Sequence, residues 1–464
     1  MSREATNLLY LVTIVTFVLA LRFLSNPATA RRGNQIGAIG MLIAIIVTFA
    51  QDTIMSYWEI GAGMAVGGTF GAVAARKVRM TAMPQMVALF NGVGGGAAAL
   101  ISLAEFHNLA PDPGTLQTDI STSIMLSAII GSISFAGSMI AFAKLQELIG
   151  GRPIVYPLQQ ATNALLFAAV VAAGIAIAAG AEQQWLIWAV VLGSLLFGVL
   201  FVLPIGGADM PVVISLLNAF TGLAAAATGF ELENNVLIVS GMLVGASGTM
   251  LTILMGRAMN RSIANVLFGA FGQLAPSAAG AAGGSTDGQV RSASAEDVAM
   301  MLAYAHKVVV VPGYGMAVAQ AQHDVRALAD LLESRGVEVS YAIHPVAGRM
   351  PGHMNVLLAE ANVPYPQLKE MDDANNEFPR TDVALVIGAN DVVNPDARNN
   401  HGSPIYGMPI LNVDQSQQVV VLKRSMNPGF AGIENPLFLN PKTVMLFGDA
   451  KESVEKLASS VKAV

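Results

Sequence analysis

A Gly-x-Gly turn follows an apolar, β-branched run in the second half of the 464-residue chain. The run is 308–311, the turn is Gly313-Tyr314-Gly315, and the pattern after it predicts a helix over 316–335. Glycines at such a turn let the backbone approach a pyrophosphate, and the start of the following helix favours negative charge. Val318 stands where the third glycine of a dinucleotide fingerprint would lie, so a glycine turn without a ligand remains an alternative.

Two cations and a hydroxyl, Lys423, Arg424 and Ser425, follow another predicted strand, 419–422. They suit a phosphate monoester, because Arg binds it as a fork and Lys as a point charge. The second strand ends at His344 without the acid that an NAD ribose would need. The sequence therefore predicts a dinucleotide with a 2′-phosphate, and the alternative is a solvated basic pair.

Two further loops leave predicted strands at the same edge, 344–353 and 388–395. Ligands of open α/β sheets bind where such loops converge. His344 and His353 could ligate a metal, but they lie nine residues apart with no acid at ligand spacing, and the chain has no Cys. No metal site is predicted.

Polar residues in the apolar first half are few, and no His, Lys or Arg is predicted inside a membrane span. Asp209, just before Pro211, is the strongest candidate for moving charge, because a carboxylate there must face a cavity or a partner. An N-cap is the alternative. Asn91 and Asn218 lie at similar predicted depth, where they hold water or bond between helices.

The composition requires two kinds of element to position these residues. Residues 1–261 carry 22 charged side chains, about 8%, whereas the remaining 203 carry 34, about 17%. Nine apolar stretches in the first part predict nine membrane helices. Ten of the eleven Lys and Arg residues there follow helices one, three, five and nine, so we expect the N-terminus outside and the second part in the cytoplasm.

The second part predicts a doubly wound α/β fold. Strands are expected at 308–311, 337–343, 383–387, 410–413, 419–422 and 444–447, with helices at 316–335, 353–361 and 451–464. A Gly/Ala/Ser-rich tether precedes it. We therefore divide the chain into a transmembrane domain (1–261), a linker (262–294) and a Rossmann-like parallel-sheet domain (295–464). Its acidity argues against a nucleic-acid partner.

Several strings of this sequence resemble a known family, the β subunit of the proton-translocating NAD(P) transhydrogenase of bacterial membranes. They are residues 311–322, 344–358, 388–391, 423–427 and 447–450, and in the membrane half 206–213 and 258–262. The resemblance covers essentially the whole chain. It implies an enzyme that transfers hydride between NAD(H) and NADP(H) and couples the transfer to proton translocation. The rival is a channel or carrier gated by a regulatory nucleotide-binding domain.

The resemblance also implies which cofactors, partners and residues serve the enzyme. This chain would bind NADP(H), and an α subunit would bring the NAD(H) site. The complex would be a dimer of α/β units in the bacterial inner membrane. Asp209, Asn91 and Asn218 would serve the proton path, and Asp391 would position the nicotinamide. The expected cofactor contacts are Gly313, Tyr314, Gly315, Val346, Ala347, Gly348, Arg349, Met350, Pro351, Gly352, Gly388, Ala389, Asn390, Asp391, Val392, Lys423, Arg424, Ser425, Asn427, Gly429, Phe430, Gly448, Asp449 and Ala450.

Two positions depart from that family's pattern. Asn91 stands where some members carry a histidine, so a titrating histidine relay is not expected at this position. Phe430 stands where many members carry Tyr, so a hydroxyl contact to the nucleotide is lost.

Overall fold

The computed structural model describes residues 3–26, 28–50, 56–78, 82–110, 117–146, 148–149, 154–181, 183–206, 209–259, 290–348, 352–403, 405–429 and 431–464. The chain divides into two compact units, one built from long apolar helices and the other around a parallel sheet. Most of the predicted linker, 262–294, lies outside the described residues. Its last part is ordered against the sheet, where Met445 N donates to Arg291 O (2.7 Å).

Nine long helices make up the described part of the first unit. They are α1 Arg3–Leu24, α2 Ala30–Phe49, α3 Tyr57–Lys77, α4 Met83–Leu109, α5 Thr118–Leu145, α6 Gln159–Ala178, α7 Gln184–Val202, α8 Met210–Glu231 and α9 Asn235–Ala258. Eight are long and apolar enough to cross a membrane. The other, α3, is long enough, but its five glycines and the charges at its ends lower its mean hydropathy.

Helices α4, α5 and α8 form the inner part of this unit, and small residues let their backbones meet. A Cβ atom at Gly95 would lie 2.9 Å from Gly131 O, and one at Gly131 would lie 2.6 Å from Gly95 O. Only glycine fits both positions, so α4 and α5 cross in backbone contact. The polar side chains on these helices are thereby brought within hydrogen-bonding distance across the interface.

The second unit contains six parallel strands in the order β3-β2-β1-β4-β5-β6. They are β1 Lys307–Pro312, β2 Glu338–Ile343, β3 Leu368–Glu370, β4 Val383–Ile387, β5 Gln418–Lys423 and β6 Thr443–Phe447. The central strands are apolar almost throughout, as a sheet covered on both faces requires. The strand order reverses between β1 and β4, which is the ligand-binding switch point of doubly wound folds.

Seven α-helices accompany the sheet in the described residues. They are α10 Ala295–Ala303, α11 Tyr314–Ala319, α12 Gln322–Ser334, α13 His353–Glu360, α14 Met371–Glu377, α15 Asp396–Asn399 and α16 Ala450–Ala463. The core on one face joins β-strand valines to Phe378, Leu411 and Phe438. The predicted fold class is confirmed.

Two predicted elements of this unit were wrong, and one strand was not predicted. The helix over 316–335 is two helices, because Gln320 adopts a left-handed conformation (φ 53°) that ends α11. Residues 410–413 are not a strand, although Leu411 and Val413 are buried in the core. The edge strand is instead β3, whose Leu-Lys-Glu sequence carries no apolar run.

Candidate functional site

The carboxyl ends of the strands bring the predicted loops into one continuous row. Gly313 N donates to Ile387 O (2.9 Å), Gly388 N to Leu422 O (3.1 Å), and Gly448 N to Lys423 O (3.1 Å). These bonds link the turns after β1, β4, β5 and β6 in that order. Four stretches that the sequence singled out separately therefore lie side by side along a single edge.

The turns after β1 and β4 touch through their backbones at the switch point. Gly315 N donates to Gly388 O (2.9 Å), and a Cβ atom at Gly313 would lie 2.4 Å from Ala389 Cα. Gly388 has φ 65°, and a Cβ there would lie 2.4 Å from Gly315 Cα. The glycines are thus required by the contact between the loops, and they also leave the outer side of the crevice lined by backbone.

The cationic turn after β5 presents two exposed residues and one half-buried one. Arg424 and Ser425 are exposed. The Lys423 ammonium donates to Asn427 O and lies 4.9 Å from the centre of the Phe438 ring. Burial lowers the pKa of Lys423, and the nearby Asp391 carboxylate opposes that shift. The turn therefore offers a forked cation, a hydroxyl and a desolvated ammonium at one point of the edge.

Asn390 and Asp391 support the segment that follows this cationic turn. Asp391 Oδ2 accepts a bond from Ala431 N (3.0 Å), and Asn390 O accepts one from Asn435 Nδ2 (3.0 Å). A Cβ atom at Gly429 would lie 2.7 Å from Asp391 Oδ1. Residues 423–429 and Ala431 thus form a lid that is closed down on the loop after β4.

The loop after β2 is organised by a buried histidine. His344 Nε2 donates to Pro409 O (2.8 Å), while Nδ1 accepts from Val346 N (3.2 Å). Burial lowers the pKa of His344 to about 4. Both ring nitrogens are therefore used in fixing the loop, which carries Val346, Ala347 and Gly348.

The remaining predicted contacts divide between this edge and positions outside the described residues. Asp449 Oδ1 caps α16 by accepting from Lys451 N (3.0 Å), so its carboxylate already has a structural role beside Gly448 and Ala450. Tyr314 begins α11 at the same edge, and Val392, Asn427 and Gly352 belong to the connections that leave it. Arg349, Met350, Pro351 and Phe430 lie outside the described residues.

In the membrane unit, Asn91 lies in a cluster of hydroxyl groups. Its Nδ2 donates to Ser138 Oγ (2.9 Å), and Ser134 Oγ lies 2.5 Å from Thr221 Oγ1. Asn91 is buried on α4, between α5 and α8. Asn218 is only half-buried, and its side chain makes no hydrogen bond within the described part of the chain. The structure therefore brings Asn91 together with Thr221 rather than with Asn218.

Asp209 occupies the N-cap position of α8, yet its side chain makes no capping hydrogen bond there. The alternative explanation, that this carboxylate is present to cap the helix, therefore lacks its expected contact. Asp209 is half-buried.

Two buried charged residues of the membrane unit were missed by the sequence. Lys144, assigned to a connection, belongs to the last turn of α5, where it donates to the carbonyl oxygens of Leu203 and Ile205 (2.8 Å to Ile205). It satisfies backbone groups at the end of α7. Glu231, at the end of α8, is 6% exposed and accepts from Ser102 Oγ (2.8 Å). The only feature of the sequence that pointed to Glu231 was its position at the end of a predicted helix.

An open parallel sheet of this strand order, with glycine loops meeting at its switch point, defines a dinucleotide-binding unit. On a chain whose first half is apolar helices, it defines a membrane protein of the nucleotide-using class. A family model described as NAD(P) transhydrogenase beta subunit matches residues 6–460. Two relatives from Rhodospirillum rubrum, both named NAD(P) transhydrogenase subunit beta, are 49% identical over 465 residues, which is 99% of this chain and 100% of theirs.

The chain belongs to the NAD(P) transhydrogenase beta subunit family. The resemblance inferred from the sequence is therefore confirmed, together with the predicted enzyme class and the use of NAD(P)(H). The match favours an enzyme over the rival interpretation of a gated channel or carrier.

Proposed function

We propose that this chain binds NADP(H) along the carboxyl edge of its sheet and serves the hydride transfer of a proton-translocating transhydrogenase. The observation that carries the proposal is the row of loops joined by Gly313, Gly388 and Gly448, with Arg424 and Ser425 exposed beside it. Backbone amides along the crevice suit a pyrophosphate, and the cations suit a 2′-phosphate.

The donor set fits NADP(H) better than NAD(H). After Ile343 at the end of β2 come His344, Pro345 and Val346, none of which can accept from a ribose hydroxyl as an acid would. The cationic turn after β5 instead supplies positive charge within an acidic unit. Nicotinamide chemistry needs no acid or base from the protein, so Asp391 and the lid serve to position the ring and exclude water.

We therefore assign the second nucleotide, NAD(H), to an α subunit. The relatives are named as a beta subunit, which supports a partner of this kind. The placement of Lys and Arg after the odd-numbered helices supports an N-terminus outside and a sheet unit in the cytoplasm. We place the complex in the bacterial inner membrane as a dimer of α/β units.

We assign proton translocation to Asp209, Asn91 and Asn218. Asp209 is the titratable member, whereas the amides orient hydrogen bonds. Coupling follows from linkage: if protonation of the membrane unit favours one state of the NADP(H) lid, nucleotide binding must favour the corresponding protonation state to the same extent.

The NADP(H) assignment is tested by replacing Lys423 and Arg424 together with Ala. Each charge-assisted hydrogen bond to the phosphate is worth roughly 1.5–3 kcal/mol, so NADPH binding is expected to weaken at least about 100-fold. NADH binding should stay within about twofold, because NADH lacks that phosphate. Titration calorimetry of the full chain measures both.

Lys462→Ala, an exposed cation near the end of α16, is the matched control and should leave both affinities unchanged. An equal loss of NADPH and NADH binding in the double variant would contradict the 2′-phosphate assignment.

A further inference from the structure

Glu231 is a carboxyl group that no step above uses. It is the last residue of α8 and is 6% exposed. Its Oε2 accepts from Ser102 Oγ at 2.8 Å, while Oε1 is buried without a protein hydrogen bond in the described part of the chain. Burying a carboxylate with one unpaired oxygen costs more free energy than burying an amide or a hydroxyl at the same place.

Hydroxyl groups continue from Glu231 along the interface of α4, α5 and α8. Thr228, one turn back along α8, lies 2.7 Å from Ser127 Oγ of α5. Two turns further, Thr221 pairs with Ser134, which Asn91 Nδ2 approaches at 3.4 Å. Residues 221, 228 and 231 share one face of α8 because they are separated by seven and three positions. The polar groups thus form a column of separate hydrogen-bonded groups, spaced along α8 between Glu231 and Asn91.

The two carboxyl groups of this helix stand at opposite surfaces. Asp209 precedes α8 and Glu231 ends it, and 22 residues at 1.5 Å span about 33 Å, close to the thickness of the hydrocarbon core. A contact between neighbouring helices agrees with this placement of Asp209. Lys144, in the last turn of α5, bonds to the segment after α7 that leads to Asp209.

Titratable groups of α4, α5 and the turn after α8 lie at the same end of these helices as Glu231. In the described ranges these are Glu105 and His107 on α4, Asp119 on α5 and Glu233 just after α8. His107 Nδ1 lies 2.7 Å from Gln184 Oε1 of α7, and His107 and Glu233 are exposed. Glu231 is the buried member of this group, whereas His107, Asp119 and Glu233 are exposed.

We infer that Glu231 is the proton-exchanging group at the membrane surface opposite Asp209, held in place by Ser102 and feeding the hydroxyl column toward Asn91. The inference rests on the proposed proton translocation. Oε1 of the carboxylate takes a proton from water at this surface to form the neutral acid. It then gives the proton to the Ser127–Thr228 hydroxyl pair, which passes one of its own protons on along the column as it accepts. The carboxylate is restored, the hydroxyls stay neutral, and one proton leaves to water at the Asp209 surface. Transport in the other direction reverses these steps.

The test uses the full chain with its α partner in sealed vesicles, and the matched pair Glu231→Gln and Glu233→Gln. Both remove one carboxylate, but only the first removes the buried one. Glu231→Gln is expected to lower proton uptake at least about tenfold while NADPH affinity stays unchanged, because a positioned acid–base group is lost. Glu233→Gln should keep uptake within about twofold. Wild-type uptake in Glu231→Gln would overturn the inference.

A second variant keeps the Glu231 carboxyl group and removes the hydroxyl of Ser102 that donates a hydrogen bond to it. Ser102→Ala is expected to shift the pH of half-maximal proton uptake by about half a unit or more, since hydrogen bonds to a carboxylate tune its protonation. Ser247→Ala, whose hydroxyl bonds only within α9, is the control. An unchanged pH profile in Ser102→Ala would overturn the inference even if Glu231→Gln failed to assemble. No uptake by the wild type would overturn the proposed function and this inference together.

Discussion

At the scale of single residues, the proposed proton translocation is tested most specifically at Asp209. Asp209→Asn keeps the size and the possibility of capping α8 but removes the exchangeable proton. We expect proton uptake and the hydride transfer coupled to it to fall together, while NADPH binding persists. If the carboxylate were only structural, the change would cost under about 1 kcal/mol and uptake would continue. Vesicle proton uptake measured beside nucleotide titration separates these outcomes, with exposed Glu59→Gln as control.

His344 gives the sheet unit a defined pH dependence. Its pKa is lowered to about 4 by burial, whereas the unfolded chain binds the proton near 6.5. The unfolded state therefore holds more protons between these values, and stability falls as the pH drops from about 6.5 to 4, by up to about 3 kcal/mol. Hydrogen exchange of the β2 amides in the full chain measures the loss. His344→Gln, which keeps a donor toward Pro409, should remove this pH dependence; an identical profile would contradict the assignment.

Residue types alone predicted part of the candidate membrane site. Asp209 and Asn91 stood out because carboxylates and amides are rare in apolar stretches. Ser102, Ser127 and Thr228 did not, because hydroxyl residues are common in such helices and their role depends on which helix faces they meet. Glu231 was passed over for the same reason, since only the packing of α4 against α8 buries it.

At the scale of elements, the contact between the turns after β1 and β4 is the feature most sensitive to change. Gly388→Ala would add both left-handed strain and a methyl group 2.4 Å from Gly315 Cα. Gly336→Ala is the matched control, since its φ of 87° gives the strain with nothing within 4 Å. We expect about 1 kcal/mol of destabilisation for Gly336→Ala and at least about 2 kcal/mol more for Gly388→Ala.

Hydrogen exchange of the β1 and β4 amides in the full chain measures this difference. Gly388→Ala should also weaken NADPH binding, because the crevice is shaped by that contact. Equal effects of the two substitutions would mean that the loops do not meet as described.

Long elements were predictable from the sequence and short ones were not. The nine helices of the first unit and strands β1, β4, β5 and β6 follow from continuous apolar runs. β3 and α14 are short and polar, so their formation depends on β2 providing an edge to pair with and pack against. The run 410–413 is buried through side chains rather than strand pairing, which an apolar pattern cannot distinguish. The convergence of the candidate loops was predictable, because the loops that follow parallel strands leave from the same edge of the sheet.

The whole molecule combines a unit suited to lipid with one suited to water. The first unit buries a set of polar groups between α4, α5 and α8, whereas the second gathers its loops at one sheet edge. Neither arrangement alone transfers hydride or moves protons in a coupled way. The central claim is therefore that a change of nucleotide state in the sheet unit is linked to a change of protonation in the helical unit.

The most direct test reconstitutes the chain with its α partner in sealed vesicles and follows two signals together. One is the reduction of an NAD analogue by NADPH, and the other is the proton movement across the vesicle membrane. The account predicts that hydride transfer moves protons, that an imposed proton gradient changes the rate of hydride transfer, and that Asp209→Asn abolishes both effects. Hydride transfer at an unchanged rate without proton movement, in the wild type, would contradict it.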